Sequence, residues 1–175
     1  KYLNVEGVKQ MIADRDDASD NNDFIFMKLS ISDDVNGKPL NGCSVMDKYI
    51  NDEKKRGFTW FSTQSLYYVM SQKKVKHYKE LIKLGKTVKI IFGIGKSAKG
   101  NNDIGYSAVV NDIISDKFPI SAPTLEYPAA FKGEQARIWI KISNIKPENV
   151  INASMLKVRS TGSDLKQVIS NSQYH

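Results

Sequence analysis

The chain has 175 residues, 41% hydrophobic and 26% charged, which is the length and composition of one globular domain and excludes a disordered polypeptide. Its net charge of +7 points to an anionic partner such as nucleic acid. The single cysteine, Cys43, excludes an internal disulfide and fits a reducing, cytoplasmic setting, and no apolar run reaches the ~18 residues of a membrane span.

No signal-peptide pattern opens the chain, and a start at Lys1 rather than Met is expected of a module processed or excised from a longer protein. Residues 5–13 read as a short amphipathic helix, with Val5, Val8 and Ile12 on one face. Residues 14–23 form a polar, acidic linker, so residues 1–23 are expected to precede a domain over 24–175. A strand over 23–30 follows, then a turn over 35–41 marked by Asn36-Gly37 and Lys38-Pro39. The pattern next predicts a helix over 45–55, a strand over 58–62 and a lysine-rich helix over 64–84. Strands over 87–94 and 104–114 are separated by a basic, turn-rich connection. Residues 117–132 read as a proline-interrupted loop, long for a compact domain and of the kind that carries function. A half-buried strand over 137–142 and a closing helix over 164–171 complete the chain. Strands joined by irregular loops, with few helices, predict an α+β domain: a small curled β-barrel flanked by helices.

Catalytic motifs are sparse. Gly95-Lys96-Ser97 follows a strand as the end of a P-loop does, but the glycine required five residues earlier is Ile90. His77 and His175 are the only histidines, too few with one cysteine for a structural zinc site. His77 lies in a lysine-rich helix and reads as a surface residue, and no nucleophile-elbow pattern appears. The adjacent acids Asp16-Asp17 and Asp33-Asp34 read as solvated loop residues. No catalytic residue, metal ligand or cofactor is assigned, and the chain reads as a binding module rather than an enzyme.

The stretch from Gly57 to Thr63, Gly-Phe-Thr-Trp-Phe-Ser-Thr, sits directly behind Lys54-Lys55-Arg56. Trp60 there is either core or a stacking platform for an unpaired base, with hydroxyls to read its edge and cations to hold phosphates. Trp139, between Ile138 and Ile140, reads as structural. Tyr127 and Phe131 lie outside any apolar period and either plug the barrel mouth or line a pocket. The lysines at 73, 74, 76 and 79 either form a solvated helix face or track a phosphate backbone.

Taken in order, these segments resemble the YTH domain, a reader of N6-methyladenine, and its prokaryotic relatives of the EVE/PUA-like superfamily. Lys28-Leu29-Ser30-Ile31-Ser32-Asp33-Asp34 resembles the YTH segment K-S-x-S-x-D-D, and Thr59-Trp60-Phe61-Ser62-Thr63 resembles W-x-S-T. Residues 88–92 with Gly105-Tyr106-Ser107-Ala108 resemble the strand pair L-F-F-S-V and G-x-A-E-M. Phe131-Lys132-Gly133 through Ile140 resembles W-K-G-K-F-x-V-x-W-I, and Val158-Arg159-Ser160-Thr161 resembles the segment before the closing helix of the family. The match covers residues 24–172, with a longer spacing between Lys28 and Trp60 than is usual and Phe131 in place of Trp.

The resemblance implies a modified-base reader without catalytic activity. Trp60, Phe131 and Tyr127 would wall the pocket; Ser30, Asp34, Ser62 and Thr63 would bond the base edge; Lys28, Lys132, Lys157 and Arg159 would hold the phosphates. It implies methylated DNA carrying N6-methyladenine or 5-methylcytosine as the favoured partner. It also implies fusion or association with an AAA+ NTPase or nuclease effector of the McrB restriction type. Two alternatives stay open: an RNA-binding PUA-like module with no need for a cage, and a metal-dependent nuclease using Asp33, Asp34 and Glu126.

Overall fold

The chain runs β1 (Asn4–Gln10), β2 (Asp23–Leu29), β3 (Ser32–Asp33), β4 (Pro39–Leu40), α1 (Gly42–Arg56), β5 (Thr59–Ser62) and α2 (Gln72–Lys83). It continues through β6 (Val88–Ile94), β7 (Asp103–Ser121), β8 (Gln135–Pro147), β9 (Leu156–Val158) and α3 (Leu165–Asn171). These elements come from a computed structural model that describes residues 4–10, 23–63 and 69–171. Seven strands make one mixed sheet in the order β5-β8-β7-β6-β2-β1-β9, while β3 and β4 pair as a separate short hairpin. Only β2 and β6 pair in parallel. The fold is α+β.

Burial on both faces explains the central strands. Along β2, Ile25, Met27 and Leu29 enter one core, whereas Phe24 and Phe26 enter another. Ile90 and Phe92 of β6 join the first and Ile91 the second, so both strands read as unbroken apolar runs. The first core lies under α1 and α2, which supply Val45, Met46, Tyr49, Val75 and Tyr78. The second lies under α3, through Leu165 and Ile169. A third, smaller cluster gathers around Trp60 and Trp139, towards the β5 edge.

Local signals hold the helices in place. Asn41 caps α1 by accepting a 2.9 Å hydrogen bond from the Ser44 amide. Gly57 ends it in the left-handed region (φ 84°), behind the cations Lys54, Lys55 and Arg56 that complement the helix dipole.

Several expectations need correction. Residues 4–10 form a strand rather than a helix, because their backbone pairs with β2 on one side and β9 on the other, and tertiary pairing overrides the local spacing. Most of the expected linker, residues 11–22, and the start of the expected 64–84 helix, residues 64–68, lie outside the described residues. The helix itself begins at Gln72 behind the cap Ser71. The expected loop over 117–132 is strand as far as Ser121: Ile120 pairs with Ala136 after a register shift that leaves Pro119 outside the ladder. Three such shifts between β7 and β8 bend this 19-residue strand.

Candidate nucleic-acid interface

Strand β5 is an edge strand whose side chains alternate between two environments. Thr59 and Phe61 point under α1: the Thr59 hydroxyl donates to Asp52 at 2.7 Å, and the Phe61 ring lies 4.9 Å from Tyr49 and 5.1 Å from Phe92. Trp60 turns to the other face, where it packs with Trp139, Ala136, Ile114, Ile120 and Tyr127. It is only 4% exposed.

Residues 122–127 cover that face. The Glu126 carbonyl accepts from the Trp60 amide at 2.8 Å and so satisfies part of the open edge of β5. Ala122 and Tyr127 pack into the Trp60 cluster, with the Tyr127 ring 6.0 Å from that of Trp139. The Trp139 indole donates to the Ile120 carbonyl at 2.9 Å, which fixes the ring as structure, as expected. Leu125, by contrast, is held outward and is 86% exposed.

Phe131 takes a different direction. It ends a 3-10 turn, Ala129–Phe131, and stacks on Tyr49 at 5.3 Å and 23° within the main core. Trp60 and Tyr127 are therefore brought together, while Phe131 lies on the Phe61 side of β5. The β3–β4 hairpin docks on the same turn through a 2.6 Å bond from the Val35 amide to the Ala130 carbonyl. Asp34 organises that hairpin by accepting from the Asn36 and Lys38 amides at 2.8 and 2.9 Å. The Lys38 amide is the main reason its carboxyl sits below the usual range.

Two polar atoms near Trp60 stand out. The Ser62 hydroxyl is buried and has no hydrogen-bond partner among the described residues. One carboxylate oxygen of Glu126, Oε2, is likewise buried and unpartnered among them. Thr63 is buried, with its amide donating to Ile138 O at 3.2 Å, and Ser30 is half-buried.

The four cations expected on phosphates are dispersed. Lys132 is exposed beside Phe131. Lys28 is buried on the α3 face, where its ammonium donates to the Ile169 carbonyl at 2.9 Å, and burial lowers its pKa. Lys157 lies on β9 and Arg159 just beyond it, at the sheet edge opposite β5. A cation that the sequence pattern did not single out adjoins the Trp60 cluster: Lys141 pairs across the ladder with Trp60 and lies 4.1 Å over the Phe58 ring. The signal was the two-residue period of β8, which places Lys141 on the Trp139 face.

Residues 96–98 form a single 3-10 turn rather than the start of a helix, so the P-loop comparison lacks its structural context. His77 is exposed. Among the described residues, no group of three or more His, Cys, Asp or Glu side chains is placed to hold a metal, and no helix is long and apolar enough to cross a membrane. Compared with protein-family models, curated proteins and solved structures, the chain matches none.

Proposed function

We propose that the chain is a nucleic-acid-binding module of the YTH/EVE-like kind, its sheet curled towards a small barrel, which recognises a methylated base at the Trp60 end of β5. The observation that carries the reading is the Trp60–Tyr127 cluster beside a buried, unpartnered Ser62 hydroxyl on an edge strand closed by one connecting segment. An aromatic cluster that also holds an unsatisfied polar group has the chemistry of a base-binding pocket: apolar faces for stacking and a free group for the base edge.

Because Trp60 is buried, a base enters by lifting residues 122–127 from β5, which opens the Trp60–Glu126 backbone bond and separates Tyr127 from the cluster. The flipped base then stacks between Trp60 and Tyr127, and its methyl group fills apolar volume that Ala122 vacates. Ser62 and Thr63 bond its edge; Phe131, with Tyr49, anchors the segment that moves. Asp34 and Ser30 shape the neighbouring hairpin, and Lys132 and Lys141 are the cations closest at hand for phosphate. The favoured ligand is DNA bearing N6-methyladenine or 5-methylcytosine. The biological role is that of a cytoplasmic specificity module working with an NTPase or nuclease effector. The module itself carries out no covalent step.

Fluorescence anisotropy with paired oligonucleotides, methylated and unmethylated, tests this. Wild type should prefer the methylated strand, and Trp60→Ala should remove about 1–3 kcal/mol of binding together with the preference. Equal affinity of wild type for both strands would support an RNA-binding PUA-like module instead, a reading favoured by the net charge of +7 and independent of any cage.

A further inference from the structure

The Glu126 carboxylate combines three properties seldom found together: one oxygen buried, that oxygen without a hydrogen-bond partner among the described residues, and a backbone fixed to Trp60 by a 2.8 Å bond. Three other carboxylates of the fold contrast with it. Asp34 caps a turn, Asp52 holds Thr59 and Arg56, and Asp103 binds two amides and Lys166. A carboxylate is an acceptor only, and a buried one without a donor is costly to the folded state. Ser62 presents a second unsatisfied atom two residues along β5 from the point where Glu126 is tied. Two unsatisfied groups on one cluster point to a ligand that brings its own donor.

Resting on the base-reading function above, we propose that Glu126 is a specificity-determining residue that accepts an N–H from the exocyclic amine of the recognised base. A carboxylate in this place favours adenine and cytosine, whose exocyclic nitrogens carry hydrogen even after a single methylation. It disfavours bases that present oxygen there, because two acceptors face each other. The tie from Glu126 O to Trp60 N couples this polar contact to the stacking surface: the strand that offers the ring also positions the acceptor.

The test pairs bases that differ in the amine alone. N6-methyladenine is compared with 6-methoxypurine, and 5-methylcytosine with thymine, each in the same oligonucleotide, against wild type, Glu126→Gln and Trp60→Ala. Wild type should bind the amine-bearing member of at least one pair about tenfold or more tightly, as expected of a hydrogen bond to a charged acceptor. Glu126→Gln, with its fold checked by thermal melting, should shrink that gap to under about threefold while keeping the Trp60-dependent preference for methylation. A gap that survives Glu126→Gln overturns the inference and leaves the base reader standing. A wild type that shows a Trp60-dependent methylation preference with no gap overturns it equally. Loss of any methylation preference in wild type overturns the base reader itself.

Discussion

Asp103 ties three elements with one carboxylate. It accepts from the amides of Ile104 and Ala153 at 2.8 and 2.7 Å and pairs with Lys166 of α3 at 3.2 Å. Burial pushes its pKa up, but these donors outweigh burial and hold it below the usual carboxylate range. Its contribution is therefore complete above the unfolded pKa and is lost as pH falls through the lower folded value. Asp103→Ala should cost about 1–3 kcal/mol in urea denaturation at neutral pH, because the Ala153 amide loses its acceptor. Such ties explain why single residues were unevenly legible in the sequence. Trp60 and Tyr127 stood out by composition and do meet. Lys28 belonged to a motif and looked like a phosphate ligand, yet its partner, the Ile169 carbonyl, lies 141 residues away. Phe131 sat in an aromatic loop, and only the stacking of Tyr49 shows which face it takes.

At the scale of elements, the turn between β6 and β7 has the narrowest tolerance. A Cβ on Gly100 would come within 2.3 Å of the Ile94 carbonyl oxygen, a backbone atom with little room to move. Gly100→Ala should cost at least about 1–3 kcal/mol in the same denaturation measurement, and a cost under about 0.5 kcal/mol would mean that the turn is not packed this closely. The strong elements were legible because their signals are local: β6 is a β-branched run, and α1 carries a cap, a C-terminal glycine and cations. β1 was misread because an apolar spacing of three suits a helix, and nothing local shows that β2 and β9 flank it. The far end of β7 was misread because Pro119 signals a loop, whereas a bulge lets the strand resume at Ile120.

Across the whole molecule, the two sides of the sheet are used differently. One holds the main core under α1 and α2; the other holds the α3 core and the Trp60 cluster. At the main core, burial pushes the Tyr106 hydroxyl up to about 12, with help from Cys43 and Asp47. Folded Tyr106 thus keeps its proton where an unfolded tyrosine, near 10, has lost it. The stability this confers is complete below pH 10 and is lost as the pH climbs towards 12. Ultraviolet titration of the eight tyrosines should find one ionising well after the rest, and Tyr106→Phe should abolish that late step. The α+β class was legible from the alternation of strands and irregular loops. The placement of the expected site residues was not, because it depends on which face each strand turns to the sheet.

Binding of wild type and Trp60→Ala to one oligonucleotide sequence, with and without N6-methyladenine or 5-methylcytosine, tests the central claim most directly. The account predicts tighter binding of a methylated strand by wild type and loss of that preference in Trp60→Ala. A methylation preference that survives Trp60→Ala in a folded protein, or no preference in wild type, would contradict it.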